Sequence, residues 1–366
     1  MQCEQQVVEE KMIVAMEQDA SSERVSQVEY LLAQWGYNPH IIVGEERTVI
    51  AAVGTGPDIE SRLAILREVP GVATATRVSS PYKLCSREAH KSSTSFTVKR
   101  QGGTVTIGDG QFVVIAGPCS VESGDQIFST AKSIAESGAA ILRGGAFKPR
   151  SSPYAFQGLG EDGLKLLSEA GDEFGLPVIT EVMRPAQVEI VCQYADILQI
   201  GARNMQNFDL LKEVGQARKP VFLKRGPNAS ITEFLMSAEY VLAGGNQQVI
   251  LCERGLDYTK DKGEHTRNIL DIQAVPVLQD KTHLPVFLDP AHSSGKRHLV
   301  SRIAKACVAI GANGIMVEVH PDPAKALSDG AQSLTPAQFA DMMADLGPYL
   351  ELWEEEHSKT VAASAA

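Results

Sequence analysis

Eight short apolar segments recur between residues 112 and 317, and this repeat constrains the fold more than any other feature. Each has the continuous apolar character of a strand that is buried on both faces. Stretches with a helical period lie between them. The predicted strands are Phe112–Ala116, Ala140–Arg143, Pro177–Val182, Ile197–Ile200, Val221–Lys224, Val249–Cys252, Val286–Leu288 and Gly314–Val317. The alternation predicts a TIM (β/α)8 barrel, with a doubly wound open sheet as the alternative.

A second pattern occupies the first 79 residues. Short apolar strands alternate with two amphipathic helices, for which Ser21 or Ser22 and then Asp58 are the predicted N-caps. The order strand, helix, strand, strand, helix, strand is that of a small ferredoxin-like α+β domain. Domains of this size bind small molecules or dimerise, and a purely structural appendage is the alternative interpretation.

The domain boundaries follow from composition. Residues 1–79 form the predicted ferredoxin-like domain, and residues 80–103, rich in Ser, Lys and Gly, form a predicted linker. Residues 104–350 form the predicted barrel, and residues 351–366 a C-terminal tail.

Composition excludes several classes of protein. With 34 basic against 45 acidic residues, the formal net charge of −11 argues against a nucleic-acid-binding protein. The six cysteines show no paired spacing, which indicates a reducing compartment. No signal peptide or membrane span is recognisable, so we expect a cytoplasmic protein without a membrane partner.

A strongly basic loop follows the second predicted barrel strand. Within residues 143–153 it contains Arg143, Lys148 and Arg150, together with the hydroxyl groups of Ser151 and Ser152. Guanidinium, ammonium and hydroxyl groups are the donors that bind phosphate, so the loop predicts an anion site. The alternative is a solvated surface loop.

Further charged residues follow other predicted strands. Arg203, Lys224 and Arg254 come at strand ends, where a TIM barrel keeps its active site. So many cations indicate two substrates that are phosphorylated, or phosphorylated and carboxylated, although structural salt bridges would explain one or two of them. Glu181, at the end of the third strand, is predicted either to transfer a proton or to orient Lys148.

A metal site is predicted at the same end of the barrel. Cys119, His292, Glu318 and Asp329 follow the first, seventh and eighth strands, and His320 is a competing candidate. A thiolate, an imidazole and two carboxylates suit a divalent transition metal. We expect Mn²⁺, with Fe²⁺, Co²⁺ and Zn²⁺ as alternatives.

Six segments together resemble a known family of enzymes. They are Ala116-Gly-Pro-Cys-Ser, the loop from Arg143 to Pro153, Gly201-Ala-Arg-Asn, Leu223-Lys-Arg-Gly, Asp289-Pro-Ala-His-Ser and Leu327-Ser-Asp-Gly-Ala-Gln-Ser. The chain is similar to the type I-beta 3-deoxy-D-arabino-heptulosonate 7-phosphate (DAHP) synthases, which carry an N-terminal ferredoxin-like (ACT-like) regulatory domain. The resemblance covers about residues 105–345 densely and the first 80 more loosely.

The resemblance implies condensation of phosphoenolpyruvate with erythrose 4-phosphate, the first step of the shikimate pathway of aromatic amino acid biosynthesis. It implies a divalent metal held by Cys119, His292, Glu318 and Asp329. It also implies an aromatic amino acid effector such as tyrosine or phenylalanine, and a homo-oligomer, with a tetramer as the expected state. The residues that would hold phosphoenolpyruvate are Arg143, Lys148, Arg203, Lys224 and Arg254. Arg150 and Ser151 would hold the phosphate of the sugar.

Two alternatives compete with this resemblance. The related 3-deoxy-D-manno-octulosonate 8-phosphate synthases use arabinose 5-phosphate and carry Lys-Ala-Asn-Arg-Ser where this chain has Lys148-Pro149-Arg150-Ser151. The DAHP synthases usually have Thr at the position of Ser151, and either residue supplies a hydroxyl. A non-catalytic, amino-acid-sensing barrel would show gaps among the metal and anion residues, and no gap is present.

Overall fold

The computed structural model describes residues 10–44, 47–54, 58–77, 81–108, 110–148, 152, 154–257 and 264–364. The chain divides into two compact units, Met1–Lys91 and Ser92–Ala366. Each unit has its own hydrophobic core. No helix in the described ranges combines the length and the apolar character that crossing a bilayer requires.

The N-terminal unit contains a four-stranded antiparallel sheet and two helices. The elements are β1 (Glu10–Met16), α1 (Ser22–Gln34), β2 (Tyr37–Val43), β3 (Thr48–Gly54), α2 (Ile59–Arg67) and β4 (Val72–Arg77). The strand order is β2-β3-β1-β4. The side chains of Ser21 and Asp58 cap the two helices. The predicted ferredoxin-like domain is therefore confirmed.

Strand alternation creates the core of this unit. Met12, Val14 and Met16 all point to one face of β1, because successive side chains alternate across a strand. That face packs against Leu32 of α1 and Leu63 of α2. A one-residue shift in register would expose the whole set, so burial of this face specifies the pairing.

The C-terminal unit contains a closed barrel of eight parallel strands. They are β7 (Val113–Gly117), β8 (Ile141–Arg143), β9 (Val178–Glu181), β10 (Ile197–Ile200), β11 (Val221–Lys224), β12 (Val249–Glu253), β13 (Val286–Leu288) and β14 (Gly314–Glu318). The barrel closes where β14 pairs with β7. This architecture confirms the TIM barrel and excludes the open sheet. All eight carboxyl ends therefore meet at one face, which we call the mouth.

Helices surround the barrel and end in short loops. They are α3 (Gly124–Glu136), α4 (Glu161–Phe174), α5 (Val188–Tyr194), α6 (Phe208–Gln216), α7 (Ile231–Ala243), α8 (Ala274–Lys281), α9 (Pro290–Ser294), α10 (Arg297–Ala309) and α11 (Pro336–Ser364). Ser230 begins α7 with a reciprocal capping box to Glu233. These caps satisfy backbone groups at the helix ends that would otherwise lack partners.

The predicted linker is wrong for residues 96–103. A hairpin of β5 (Phe96–Arg100) and β6 (Gly103–Ile107) occupies this stretch. Its residues Val98, Val105 and Ile107 join the core inside the barrel. The hairpin covers the amino-terminal ends of the strands, which we call the base. Burial of its alternating apolar residues outweighs the polar composition that suggested a linker.

The predicted tail boundary at residue 350 is also wrong. Helix α11 continues through this point to Ser364 without interruption. Trp353 is buried on this helix, and its indole Nε1 donates to the carbonyl oxygen of Ala312 at 2.8 Å. One buried aromatic ring thus anchors the acidic segment against the barrel.

Candidate active site

A polar cavity of about 190 Å³ opens at the mouth of the barrel. Seven of the eight strands contribute to its walls, through residues at their carboxyl ends or in the loops that follow them. The lining residues are Arg143, Lys148, Glu181, Gln199, Gly201, Ala202, Arg203, Lys224, Arg254, Arg267, His292, Ser328 and Asp329. Six of these are lysines or arginines, so the cavity attracts anions although the chain as a whole is acidic.

Several potential metal ligands lie close together on one side of the cavity. Cys119, Glu318 and Asp329 each offer an atom within 4.8 Å of the others. His292 Nε2 lies 3.5 Å from Glu318 Oε1 and 3.9 Å from Asp329 Oδ2. The four residues predicted as ligands therefore converge on one place, although their loops are distant along the chain.

The fold gives each of these side chains a specific position. Glu318 is the last residue of β14 and is fully buried, and Cys119 follows β7, the neighbouring strand. His292 lies on the short helix α9, directly after β13. Asp329 has a left-handed backbone with φ of 49°, a conformation that Asp tolerates better than most residues.

Asp289, a residue without a predicted role, orients His292. Its Oδ1 accepts a hydrogen bond from the backbone N–H of His292 at 2.9 Å. Its Oδ2 lies 2.8 Å from His292 Nδ1 and 2.6 Å from Lys224 Nζ. Burial alone would raise the pKa of Asp289, but the charges of His292 and Lys224 outweigh it and keep the pKa well below its usual value. A carboxylate at Nδ1 leaves Nε2 directed at the other ligands.

Burial lowers the pKa of His292, although the charges of Asp289 and Glu318 act in the opposite direction. The imidazole is therefore neutral at pH 7, the form that binds metals. Burial, followed by the charge of Glu318, raises the pKa of the Cys119 thiol to about 12. A cation bound among these groups would favour the thiolate instead.

Three buried side-chain atoms lack an aligned hydrogen-bond partner in the described part of the chain, and all three lie here. They are Arg143 Nη1, His292 Nδ1 and Glu318 Oε1. Each of them lies close to an ionisable partner, since His292 Nδ1 is 2.8 Å from Asp289 Oδ2 and Arg143 Nη1 contacts Glu318, but none is aligned for a hydrogen bond. Buried polar atoms are normally hydrogen-bonded, so this cluster is where a ligand would fit. Glu318 Oε1 lies 3.1 Å from Arg143 Nη1 and faces His292 Nε2. A thiol, an imidazole and two carboxylates with an unsatisfied oxygen fit a divalent metal ion.

Lys148 links the potential metal ligands to the cationic part of the cavity. Its ammonium donates to the carbonyl oxygen of Cys119 at 2.9 Å and to the sulfur at 3.0 Å. Burial lowers the pKa of Lys148, but the charges of Cys119 and Glu181 outweigh it and the pKa is raised. The side chain is therefore protonated and can support negative charge that develops beside it.

Comparison with known proteins now adds to this geometry. The sequence profile of the DAHP synthetase I family matches residues 89–351, and that of the DAHP synthase ferredoxin-like domain matches residues 12–80. The chain belongs to the DAHP synthase family. It is therefore an enzyme that condenses phosphoenolpyruvate with erythrose 4-phosphate in the shikimate pathway, and the family is metal-dependent.

Individual relatives agree with the family. A phospho-2-dehydro-3-deoxyheptonate aldolase of Thermotoga maritima is 46% identical over 338 residues, covering 92% of this chain and 96% of the relative. A crystal structure of the DAHP synthase of that organism superposes with a TM-score of 0.72 at 44% identity, covering 95% and 99% of the two chains. A 2-dehydro-3-deoxyphosphooctonate aldolase of Syntrophobacter fumaroxidans is 32% identical over 66% of this chain and 88% of its own length.

The predicted catalytic and substrate-binding residues of this DAHP synthase divide into two groups. Those that line the cavity are Arg143, Lys148, Glu181, Arg203, Lys224 and Arg254. Arg150 and Ser151 lie outside the described residues. Gly201 lies so close to Glu181 that a Cβ atom there would collide with Glu181 Oε1, which explains why a glycine follows β10.

Arg225, from the segment Leu223-Lys-Arg-Gly, and the candidate ligand His320 lie outside the ligand group. Arg225 is buried and pairs with Glu253 at 2.9 Å and Asp271 at 2.8 Å, so it serves as a structural salt bridge. His320 uses one ring nitrogen with Glu122 Oε2 at 3.3 Å and accepts from the backbone N–H of Asp322 with the other at 3.0 Å. The competing assignment of His320 as a metal ligand is therefore wrong.

Sequence reasoning missed several residues of the mouth. Arg267, Gln199 and Ser328 line the cavity, and Asp289 and Gln332 support the predicted ligands from behind. Asp289, Ser328 and Gln332 belong to motifs that carried the family resemblance, so spacing within those motifs could have singled them out. Arg267 had no such signal, because it lies in a loop away from any strand end.

Proposed function

We propose that this DAHP synthase binds its divalent ion through Cys119, His292, Glu318 and Asp329, and binds phosphoenolpyruvate among the cations beside them. The observation that carries the proposal is the convergence of these ligand atoms around Glu318 Oε1, a buried oxygen without an aligned partner. Mn²⁺ is the proposed ion. When bound, it supplies Lewis acidity at the aldehyde oxygen of erythrose 4-phosphate.

The cations then hold the trianionic substrate. Arg143, Arg203, Lys224 and Arg254 present several donors to a phosphate and a carboxylate, and all of them line the same cavity. Holding phosphoenolpyruvate there places its methylene carbon at reacting distance from the aldehyde carbon. Arg150 and Ser151 remain the predicted ligands of the sugar phosphate.

Lys148 is the proposed proton donor. Its protonated ammonium, between the ligand sulfur and Glu181, supports negative charge on the aldehyde oxygen as the new carbon–carbon bond forms. Water then adds at C2 of the former phosphoenolpyruvate, and phosphate leaves with its bridging oxygen. Glu181 is proposed to orient Lys148, because its charge is among the causes that keep this lysine protonated.

Chelation tests the proposed metal site. Activity of the purified enzyme, followed as loss of phosphoenolpyruvate, should disappear after exhaustive chelation and return with one equivalent of Mn²⁺. Fe²⁺, Co²⁺ and Zn²⁺ added to the same apoenzyme rank the alternatives. Full activity in rigorously chelated buffer would remove the metal from the mechanism.

The choice of aldehyde is tested in the same assay. Lys148-Pro149-Arg150 departs from the loop of enzymes that use arabinose 5-phosphate, so erythrose 4-phosphate should be the efficient partner. Comparable kcat/KM for arabinose 5-phosphate would support the alternative enzyme. If no phosphoenolpyruvate is consumed with either aldehyde, the result would support the non-catalytic barrel.

We also propose that the ferredoxin-like unit makes the enzyme sensitive to an aromatic amino acid, tyrosine or phenylalanine, within a homotetramer. The unit matches a domain profile named for DAHP synthases and folds around its own core. A chain that begins at Ser92, the first residue of the barrel unit, should keep its turnover and lose inhibition. Inhibition that persists in this variant would contradict the proposal, and light scattering would measure the subunit number.

A further inference from the structure

Gln332 contacts one of the proposed metal ligands from outside the cavity. It is 2% exposed and lies in the loop between β14 and α11. Its Nε2 donates to Glu318 Oε2 at 2.6 Å, and its Oε1 accepts from Arg267 Nη1 at 3.0 Å. A side-chain amide offers a donor and an acceptor at once, which a carboxylate or an apolar group of similar size does not.

Arg267 makes the corresponding contact with the second carboxylate. The same Nη1 atom donates to Asp329 Oδ1 at 3.1 Å. The backbone N–H of Arg267 donates to the carbonyl oxygen of Ser294 at 3.0 Å, next to the helix that carries His292. Gln332 and Arg267 therefore form a bridge from Glu318 to Asp329, and we call this pair the Gln–Arg bridge.

The bridge occupies one oxygen of each carboxylate and leaves the other for the cavity. Glu318 Oε1 lies 3.5 Å from His292 Nε2, and Asp329 Oδ2 lies 3.3 Å from Cys119 Sγ. The oxygens turned toward the other ligands are thus those that the bridge does not hold. Each carboxylate is positioned to offer a single oxygen to an ion.

We propose that Gln332 and Arg267 are positioning residues that make both carboxylates bind the metal through one oxygen each. This inference rests on the proposed metal site and adds its coordination mode. Partners that orient metal ligands typically change metal affinity by about 10- to 100-fold when they are replaced. Without the bridge, each carboxylate can rotate and bind through both oxygens, which raises the coordination number.

Cobalt substitution tests the proposal, because the visible spectrum of Co²⁺ reports its coordination number independently of activity. Gln332→Met keeps the length of the side chain and removes both hydrogen bonds. We expect the Kd for Co²⁺, measured by chelator competition, to rise by about 10- to 100-fold. The visible bands should also weaken, as they do when coordination number increases.

Gln279→Met is the matched control. Gln279 lies on α8, and its Nε2 donates to the carbonyl oxygen of Gly311 at 2.7 Å, at the base of the barrel. Its replacement should leave the Co²⁺ spectrum and affinity unchanged. An equal loss of Co²⁺ affinity in this control would indicate general destabilisation and overturn the proposal. The proposal would also be overturned if Gln332→Met lost affinity but kept the wild-type Co²⁺ spectrum.

A double-mutant cycle separates a shared bridge from two independent contacts. If the bridge acts as a unit, Arg267→Met combined with Gln332→Met should raise the Kd by less than the product of the single effects. The inference would be overturned if the Kd of the double variant rose by the full product of the two single effects. A Kd for Gln332→Met within about twofold of wild type would also overturn it. A wild-type enzyme that binds no stoichiometric Co²⁺ would instead overturn the proposed metal site, and the inference with it.

Discussion

Arg100 and Arg143 are two buried guanidinium groups at opposite ends of one barrel, with side chains 7% and 5% exposed. At the base, Arg100 donates to Asp172, Asp196 and the carbonyl oxygen and hydroxyl of Ser168. At the mouth, Arg143 Nη1 lies 3.1 Å from Glu318 Oε1 but is not aligned for a hydrogen bond. Similar burial thus accompanies a full set of hydrogen bonds at the base and an incomplete one at the mouth.

This difference separates structure from function more clearly than burial or charge does. A fully bonded buried arginine fixes the hairpin to the helices and strands around it. Arg143 keeps its charge contact with Glu318 but leaves hydrogen-bonding capacity unused, which is expected where a ligand completes the set. The base is therefore expected to respond to mutation through stability, and the mouth through catalysis.

The largest effect is expected for Cys119→Ala, which tests the mouth of the barrel. Loss of the metal removes several kcal/mol of transition-state stabilisation, so turnover should fall by at least about 1,000-fold. Metal content by mass spectrometry should fall with it, while the circular dichroism spectrum remains. Cys307→Ala, a buried thiol on α10, should keep its metal and its turnover. Similar losses in both variants would contradict a special role for Cys119.

The second-largest effect is expected for Lys148→Met. Removing a proton donor typically costs about 100- to 10,000-fold in rate, so kcat should fall far more than the free energy of unfolding. The control is Lys305→Met, because that ammonium pairs with Asp345 at 2.7 Å on the surface. Unchanged turnover in Lys148→Met would refute its role.

The two arginines provide the most direct comparison. Arg143→Met should raise the KM for phosphoenolpyruvate by about 10- to 100-fold, as expected for a lost hydrogen bond to a charged group. Arg100→Met should lower the free energy of unfolding by about 3–5 kcal/mol, because Asp196 loses its buried partner. Steady-state kinetics would measure the KM for phosphoenolpyruvate in both variants, and urea denaturation would measure their free energy of unfolding. Similar profiles for the two would break the distinction between base and mouth.

The smallest expected effect belongs to Ser328→Ala. The hydroxyl of Ser328 lies 3.1 Å from Cys119 Sγ. Its loss should cost about 0.5–1.5 kcal/mol, which is roughly a two- to tenfold rise in the Kd for the metal. Ser237→Ala, which removes a buried hydroxyl that donates to Glu233 O on α7, should leave metal affinity unchanged. A larger effect at Ser237 than at Ser328 would show that the measurement reports packing alone.

Most of the fold was predictable because strands and helices produce local patterns. The eight barrel strands lie within a residue or two of their predicted positions, since each is a short apolar run bounded by polar residues. The hairpin of β5 and β6 was not predictable in this way. Its apolar residues Val98, Val105 and Ile107 are separated by Lys, Arg, Gln, Gly and Thr, and become a buried face only when the two strands pair.

The predicted ligands could be found because strand ends in a barrel converge, but their partners could not. These contacts depend on rotamers and on distances between loops. Examples are the carboxylate oxygen that Gln332 holds and the pairing of Arg225 with Glu253 and Asp271. No local period records such contacts. The same limit explains why His320 remained a candidate until its two ring nitrogens were seen to be occupied.

Local patterns were enough to specify the alternation of strands and helices, the ferredoxin-like unit and the chemical types of residue at the strand ends. These follow from periodicity and composition, which act over a few neighbouring residues. Which polar atoms form hydrogen bonds, and which are left for a ligand, is set by the folded barrel. Satisfaction depends on distances of about 3 Å between residues far apart in the chain, and only the closed barrel sets those distances.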